Sequence, residues 1–148
     1  MKLYLDTCAL NRPFDDWTQD RIRLEAEAVL AILGHVASGT WHLVGSEMLD
    51  YEVDQSSDPD RRDRVADLVA MAETYVGIEP AHVQRAAELE ALGFRPKDAF
   101  HVACAESAHV DVLLTTDDRF LRAASRNRLR LRVTVRNPLE WLSEVTRP

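Results

Sequence analysis

Four acids in this sequence follow short apolar runs or open apolar helices, a placement suited to metal-assisted chemistry. Asp6 closes Leu3-Tyr4-Leu5, and Asp117 closes Val112-Leu113-Leu114-Thr115-Thr116. Glu52 lies six residues past Ser46, and Asp98 opens Asp98-Ala99-Phe100-His101-Val102-Ala103-Cys104-Ala105. Carboxylates brought together repel one another unless a cation joins them, and hard divalent ions bound through oxygen are the usual resolution. Mg²⁺ or Mn²⁺ held this way activates a water and steadies charge at phosphorus during in-line phosphodiester hydrolysis. Thr7, Ser46 and Thr115 supply hydroxyls close by for orienting water or phosphate.

Each acid also has an ordinary explanation. Asp98 in a first helical turn complements the helix dipole. Asp117 or Asp118 caps the helix that follows, Asp6 bonds its own turn, and Glu52 reads equally well as a solvated helix residue. Convergence on one place is what favours the metal reading.

The elements must supply that convergence. Lys2 to Leu5 is too short for a helix and reads as a buried strand, followed by a Pro/Asp-rich loop through Asp16. Ile22, Ala26, Val29, Leu30, Leu33 and Val36 recur at helical spacing, with Thr18 or Asp20 as cap and Gly39 as stop. His42 to Val44 is a second strand ended by Gly45-Ser46, and Glu47 to Val53 a short helix. A helix opens at Pro59, Tyr75 to Ile78 forms a weak strand, and helices follow from about Pro80 and Pro96. Val112 to Thr115 is a clean strand, Arg119 to Arg128 a helix, Arg132 to Val135 the last strand, and Asn137-Pro138 opens the last helix. Strands alternating with helices mean βαβ units and a parallel sheet covered on both faces. Loops beyond the carboxyl ends of such strands bind ligands. Asp6 and Asp117 follow strands directly, and Glu52 and Asp98 are expected at the same edge, Asp98 with a strand behind it. At 148 residues the chain is expected to be one domain.

Other chemistries fit less well. Cys8 and Cys104 give neither a disulfide framework nor zinc spacing, and the five histidines are scattered. His101 and Cys104 lack an orienting third group and suit a buried helix face. No Gly-rich phosphate loop is present. Cys8 stands where an aspartyl-phosphate phosphatase carries its second aspartate. A receiver domain is disfavoured by the missing acid pair at the first strand and the missing lysine after the last. No run of about 18 apolar residues or signal-peptide pattern occurs, so a cytoplasmic protein is expected.

The net charge of -7 argues against a polyanionic partner, but its distribution does not. Seven arginines (119, 122, 126, 128, 130, 132 and 136) and no acid lie between Arg119 and Arg136, leaving -14 for the rest. That stretch is either a solvated face or a phosphate-contacting surface.

Together, Leu5-Asp6-Thr7, Ser46 with Glu52, Asp98-Ala99-Phe100-His101, and Leu114-Thr115-Thr116-Asp117-Asp118-Arg119-Phe120 resemble the PIN-domain nucleases. The resemblance runs from residue 3 to about 142. Length and lack of appended domains look most like the stand-alone PIN proteins, many of them VapC-type toxin ribonucleases. It implies a three-layer α/β/α sandwich with a central parallel sheet and Mg²⁺- or Mn²⁺-dependent cleavage of RNA. Asp6, Glu52, Asp98 and Asp117 would be the metal-binding acids and Thr115 a supporting polar residue. A homodimer and a small antitoxin partner are also implied. Two positions depart from the pattern: Cys8 replaces a polar residue, and Arg119 replaces a fifth acid, so that either Asp118 substitutes or a second metal is held more weakly. Arg12, Arg119, Arg122 and Arg126 are candidate RNA contacts. The alternative reading is a PIN-like RNA-binding or scaffold protein that cleaves weakly or not at all.

Overall fold

A computed structural model describes all 148 residues. Its core is a five-stranded, wholly parallel sheet built from β1 (Lys2–Leu5), β2 (His42–Ser46), β3 (Thr74–Val76), β4 (Val112–Leu114) and β5 (Val135–Arg136). The strand order is β3-β2-β1-β4-β5. Leu3 pairs with Leu43 on one side and Val112 on the other, making β1 the central strand. Leu3, Tyr4 and Leu5 are fully buried, as are all three residues of β4. This is the expectation for parallel strands covered on both faces.

Helices complete a three-layer α/β/α sandwich: α1 (Thr7–Asn11), α2 (Asp20–Ala37), α3 (Glu47–Asp54), α4 (Pro59–Val69), α5 (Pro80–Ala91), α6 (Pro96–Ser107), α7 (Asp118–Arg126) and α8 (Pro138–Val145). Side chains cap most of them. Ser46 Oγ accepts from Leu49 N, Asp58 from Asp60 and Arg61 N, and Asn137 from Leu139 and Glu140 N. Gly39 and Gly93, just beyond α2 and α5, take φ of +81° and +107°, left-handed values that favour glycine. Gly45 meets the turn after α4 closely, since a Cβ there would lie 3.2 Å from Ala72 Cβ.

The chain goes outward from β1 through β2 to β3, then returns past β1 to β4 and β5. The order therefore reverses between β1 and β4, the switch point where open α/β sheets leave a crevice at the strands' carboxyl ends. Asp6 N donates to Leu114 O at 3.1 Å across that point.

Several local expectations differ from the structure. The segment after β1 is not a loop: α1 and a 3₁₀ turn (Arg12–Phe14) follow at once, because Asp6 caps α1. Neither Thr18 nor Asp20 caps α2, whose N-cap Gln19 makes no side-chain bond. Thr18 N is instead bonded to Asp16 Oδ1 at 2.9 Å. β2 continues through Gly45 and Ser46. α6 follows α5 rather than a strand. The last strand begins only at Val135, because Arg132 N donates to Glu106 Oε2 at 2.7 Å instead of to a strand neighbour. α7 stops at Arg126, where Asn127 Nδ2 turns to the Leu92 and Ala123 carbonyls.

Candidate metal centre

Two of the four acids are built into the switch point by backbone geometry. Asp6 is 2% exposed, and its Oδ1 accepts from Ala9 N at 2.9 Å. Burial pushes its carboxyl up to about 6 despite the opposing pull of His101, Thr115 and the Ala9 amide. Asp117 caps α7, with Oδ1 accepting from Arg119 and Phe120 N at 2.9 and 3.3 Å. Its own N–H donates to Thr115 Oγ1 at 3.1 Å, which sets the turn between β4 and α7.

The other two acids arrive on helices. Asp98 sits in the first turn of α6, where Arg95 Nε donates to its Oδ2 at 3.1 Å. Burial first, then the neighbouring Asp117, raises its proton affinity, while Arg95 opposes them. Glu52 projects from α3 and is hydrogen-bonded to His101 Nε2. Burial alone would raise Glu52, but the hydrogen bond to His101 and the charge of Lys97 hold it below the usual range.

Cys8 lines the same hollow as Glu52, Asp98 and Asp117. It is exposed as a residue, yet its thiol end is desolvated by the crevice wall. Desolvation raises the thiol, and the negative charges of Asp6, Asp117, Glu52 and Asp98 raise it further, in that order. A thiol so raised is a poor nucleophile. Cys8, Glu52 and Asp117 line two adjoining hollows. One of about 340 Å³ adds Thr7, Asn11, Arg12, Asp15 and Thr116, and one of about 410 Å³ adds Arg95, Pro96, Lys97 and Asp98. Asp6 lies buried beside them, close enough to raise Cys8 and to be raised by Asp98.

The donor set is all carboxylate oxygen, which suits a hard divalent cation. In the present side-chain arrangement no three acids, histidines or cysteines are close enough together to hold an ion. Side chains of the protein answer those carboxylates instead. Arg95 spans Asp98 and Asp117 with one guanidinium, and His101 is turned to Glu52.

The supporting residues divide. Thr115 is buried between Asp6 and Asp117, and Thr7 Oγ1 is buried at the crevice wall with no hydrogen-bond partner. Ser46 Oγ is buried, held 2.7 Å from Tyr4 Oη while it caps α3. Asp118 faces outward, taking two hydrogen bonds of 2.7 and 2.8 Å from Arg21. Arg12 lines the smaller hollow, with Nη1 3.1 Å from Asp15 Oδ2 and Nε 3.2 Å from Glu25 Oε1. Arg119, Arg122 and Arg126 lie on the exposed side of α7.

Three participants were not legible as such from the sequence. Arg95 stands three residues before Asp98, and His101 is a polar residue on an otherwise apolar face. Tyr4 is the lone hydroxyl in an aliphatic strand. Tyr4 and His101 carried a weak signal, a polar group where burial leaves no room for an idle one, whereas the partly exposed Arg95 carried none.

The family model of the PIN domain matches residues 3–126. No curated protein matches the sequence. Among solved structures, the crystal structure of VapBC2 from Rickettsia felis, bound to a DNA fragment from its promoter, is similar. It matches with a TM-score of 0.60 and 15% identity, over 93% of this chain and 98% of that one, a likeness of fold. The chain belongs to the PIN-domain family, a family of nucleases.

Proposed function

We propose that this protein is a metal-dependent endoribonuclease that hydrolyses RNA phosphodiester bonds, the toxin of a VapC-type toxin–antitoxin pair. The reading rests above all on the gathering of four acids at the switch point, with Asp6 buried there and Glu52, Asp98 and Asp117 lining one hollow beside it. Asp6, Glu52, Asp98 and Asp117 are the residues that would hold Mg²⁺ or Mn²⁺. When bound, the ion would supply an activated water and charge neutralisation at phosphorus. Below about pH 6 Asp6 would have to give up its proton, and Asp98 and Asp117 would exchange the Arg95 guanidinium for the ion.

Around them, Thr115 holds the Asp117 turn, and Thr7 offers its unpartnered hydroxyl at the crevice wall. Arg12 offers a guanidinium edge to a phosphate, and Arg119, Arg122 and Arg126 extend a basic face for the RNA backbone. The likeness to VapBC2 supports an antitoxin partner. A homodimer of single-domain chains, residues 1–148, working in the cytoplasm completes the proposal. No helix is long and apolar enough to cross a membrane.

Asp6→Asn and Asp98→Asn should each abolish Mn²⁺-dependent cleavage of RNA oligonucleotides while the folded circular-dichroism spectrum is kept. Full activity in either purified variant refutes the proposal. A second reading, an RNA-binding or scaffold protein without cleavage, draws on Arg95 already balancing Asp98 and Asp117. RNA binding with no cleavage at any Mn²⁺ concentration would favour it.

A further inference from the structure

Glu52 does not stand alone on α3. Its Oε1 is bonded to His101 Nε2, and the opposite ring nitrogen, Nδ1, lies 2.6 Å from Tyr4 Oη. Tyr4 Oη in turn lies 2.7 Å from Ser46 Oγ, which accepts from Leu49 N at 3.1 Å. Ser46 is the N-cap of α3, the helix that carries Glu52, so the hydrogen bonds and the helix close a ring. Three elements meet in it: β1 through Tyr4, α6 through His101, and the β2–α3 junction through Ser46.

Donor and acceptor counting gives the ring one direction for a neutral imidazole. The Glu52 carboxylate can only accept, so Nε2–H donates to it and Nδ1 is left as an acceptor. Tyr4 O–H then donates to Nδ1, and Ser46 O–H donates to the Tyr4 oxygen. Ser46 Oγ takes its remaining bond from the Leu49 amide. Tyr4 and Ser46 are fully buried and His101 is 1% exposed, so water does not compete for these bonds. The Tyr4 and His101 rings also meet edge-on, with centroids 5.6 Å apart.

We propose that His101 is a positioning residue, held in one tautomer by Tyr4 and Ser46, that fixes the Glu52 carboxylate in its orientation towards the crevice. The inference rests on the reading of Glu52 as a metal-holding acid. Groups that orient metal-holding side chains typically contribute 10–100-fold to metal affinity or activity. Tyr4 acts two bonds away from the carboxylate. It touches neither the crevice nor any of the four acids by hydrogen bond, and that separates positioning from direct contact.

The test is Mn²⁺ affinity, followed by the electron paramagnetic resonance of the free ion, together with metal-free melting of each variant. His101→Ala should weaken Mn²⁺ binding by roughly 10–100-fold. His101→Gln, whose amide can still donate to Glu52, should recover most of that loss. Tyr4→Phe, which removes one oxygen, should give an intermediate loss and serves if His101→Ala does not fold. Variants that melt lower yet bind Mn²⁺ like the wild type would overturn the inference and leave the ring a purely structural one. Glu52→Gln separates the two readings. If it leaves Mn²⁺ binding unchanged, the metal-holding role of Glu52 has failed. If it weakens binding while Tyr4→Phe and His101→Ala do not, positioning by His101 has failed.

Discussion

Arg95 Nε lies 3.1 Å from Asp98 Oδ2, and the same guanidinium reaches across to Asp117. One side chain thereby bridges two acids that arrive from different parts of the chain, α6 and the turn after β4, and offsets part of their charge. Any divalent cation bound by both carboxylates competes with it. Arg95→Ala should tighten Mn²⁺ binding, by less than about tenfold because the arginine is 40% exposed and such pairs contribute little. Titration calorimetry checks it, and weaker binding would mean that Arg95 is no competitor.

The buried Asp6 makes stability depend on pH in a defined direction. In the unfolded chain it loses its proton near 3.8, but in the fold only near 6, so the fold prefers the protonated form. Between those values the folded state holds more protons, and stability from this group falls as pH rises. At about 1.4 kcal/mol per tenfold change in proton affinity, the cost above pH 6 approaches about 3 kcal/mol. Metal-free Asp6→Asn, which does not titrate, should gain stability over the wild type from pH 4 to 7 and then stay level. Urea denaturation across that range measures the difference. A constant difference would show that Asp6 is not desolvated as described.

Glu25 is 1% exposed and carries Arg12, Arg21 and Asn137, the last donating to Oε2 at 2.6 Å. Removing Glu25 takes one partner from the partly buried Arg12, which keeps Asp15, and the acceptor from the buried Asn137, a loss of about 2–3 kcal/mol. Glu25→Ala should therefore destabilise the protein by about that much in denaturant titrations. The double change Glu25→Leu, Arg12→Met should recover most of the loss. Equal losses in both would show that packing, not charge, is at stake.

Arg119, Arg122 and Arg126 are exposed on α7, and the one acid of that helix, Asp118, is bonded to Arg21. Replacing Arg122 and Arg126 by Glu should weaken RNA binding and lower the slope of log affinity against log salt by about one to two. Unchanged binding in a filter assay would return α7 to an ordinary solvated face.

The acids and their order were legible in the sequence, because an acid that closes an apolar run announces a strand end. Asp6 and Asp117 needed no more than that. The alternation of strands and helices likewise determined a covered parallel sheet, since periodicity and burial act locally along the chain. The strand order was not written there. It took the β3-β2-β1-β4-β5 arrangement to set Asp6 beside Asp117, and the α5–α6 connection, not a strand, to bring Asp98. The partners of the acids were decided only in three dimensions. Arg95 meets Asp117 across 22 residues, and His101 meets Glu52 across 49 and Tyr4 across 97. Hydrogen bonds between buried side chains depend on which atoms tertiary packing brings within about 3 Å, and local sequence carries no record of that distance.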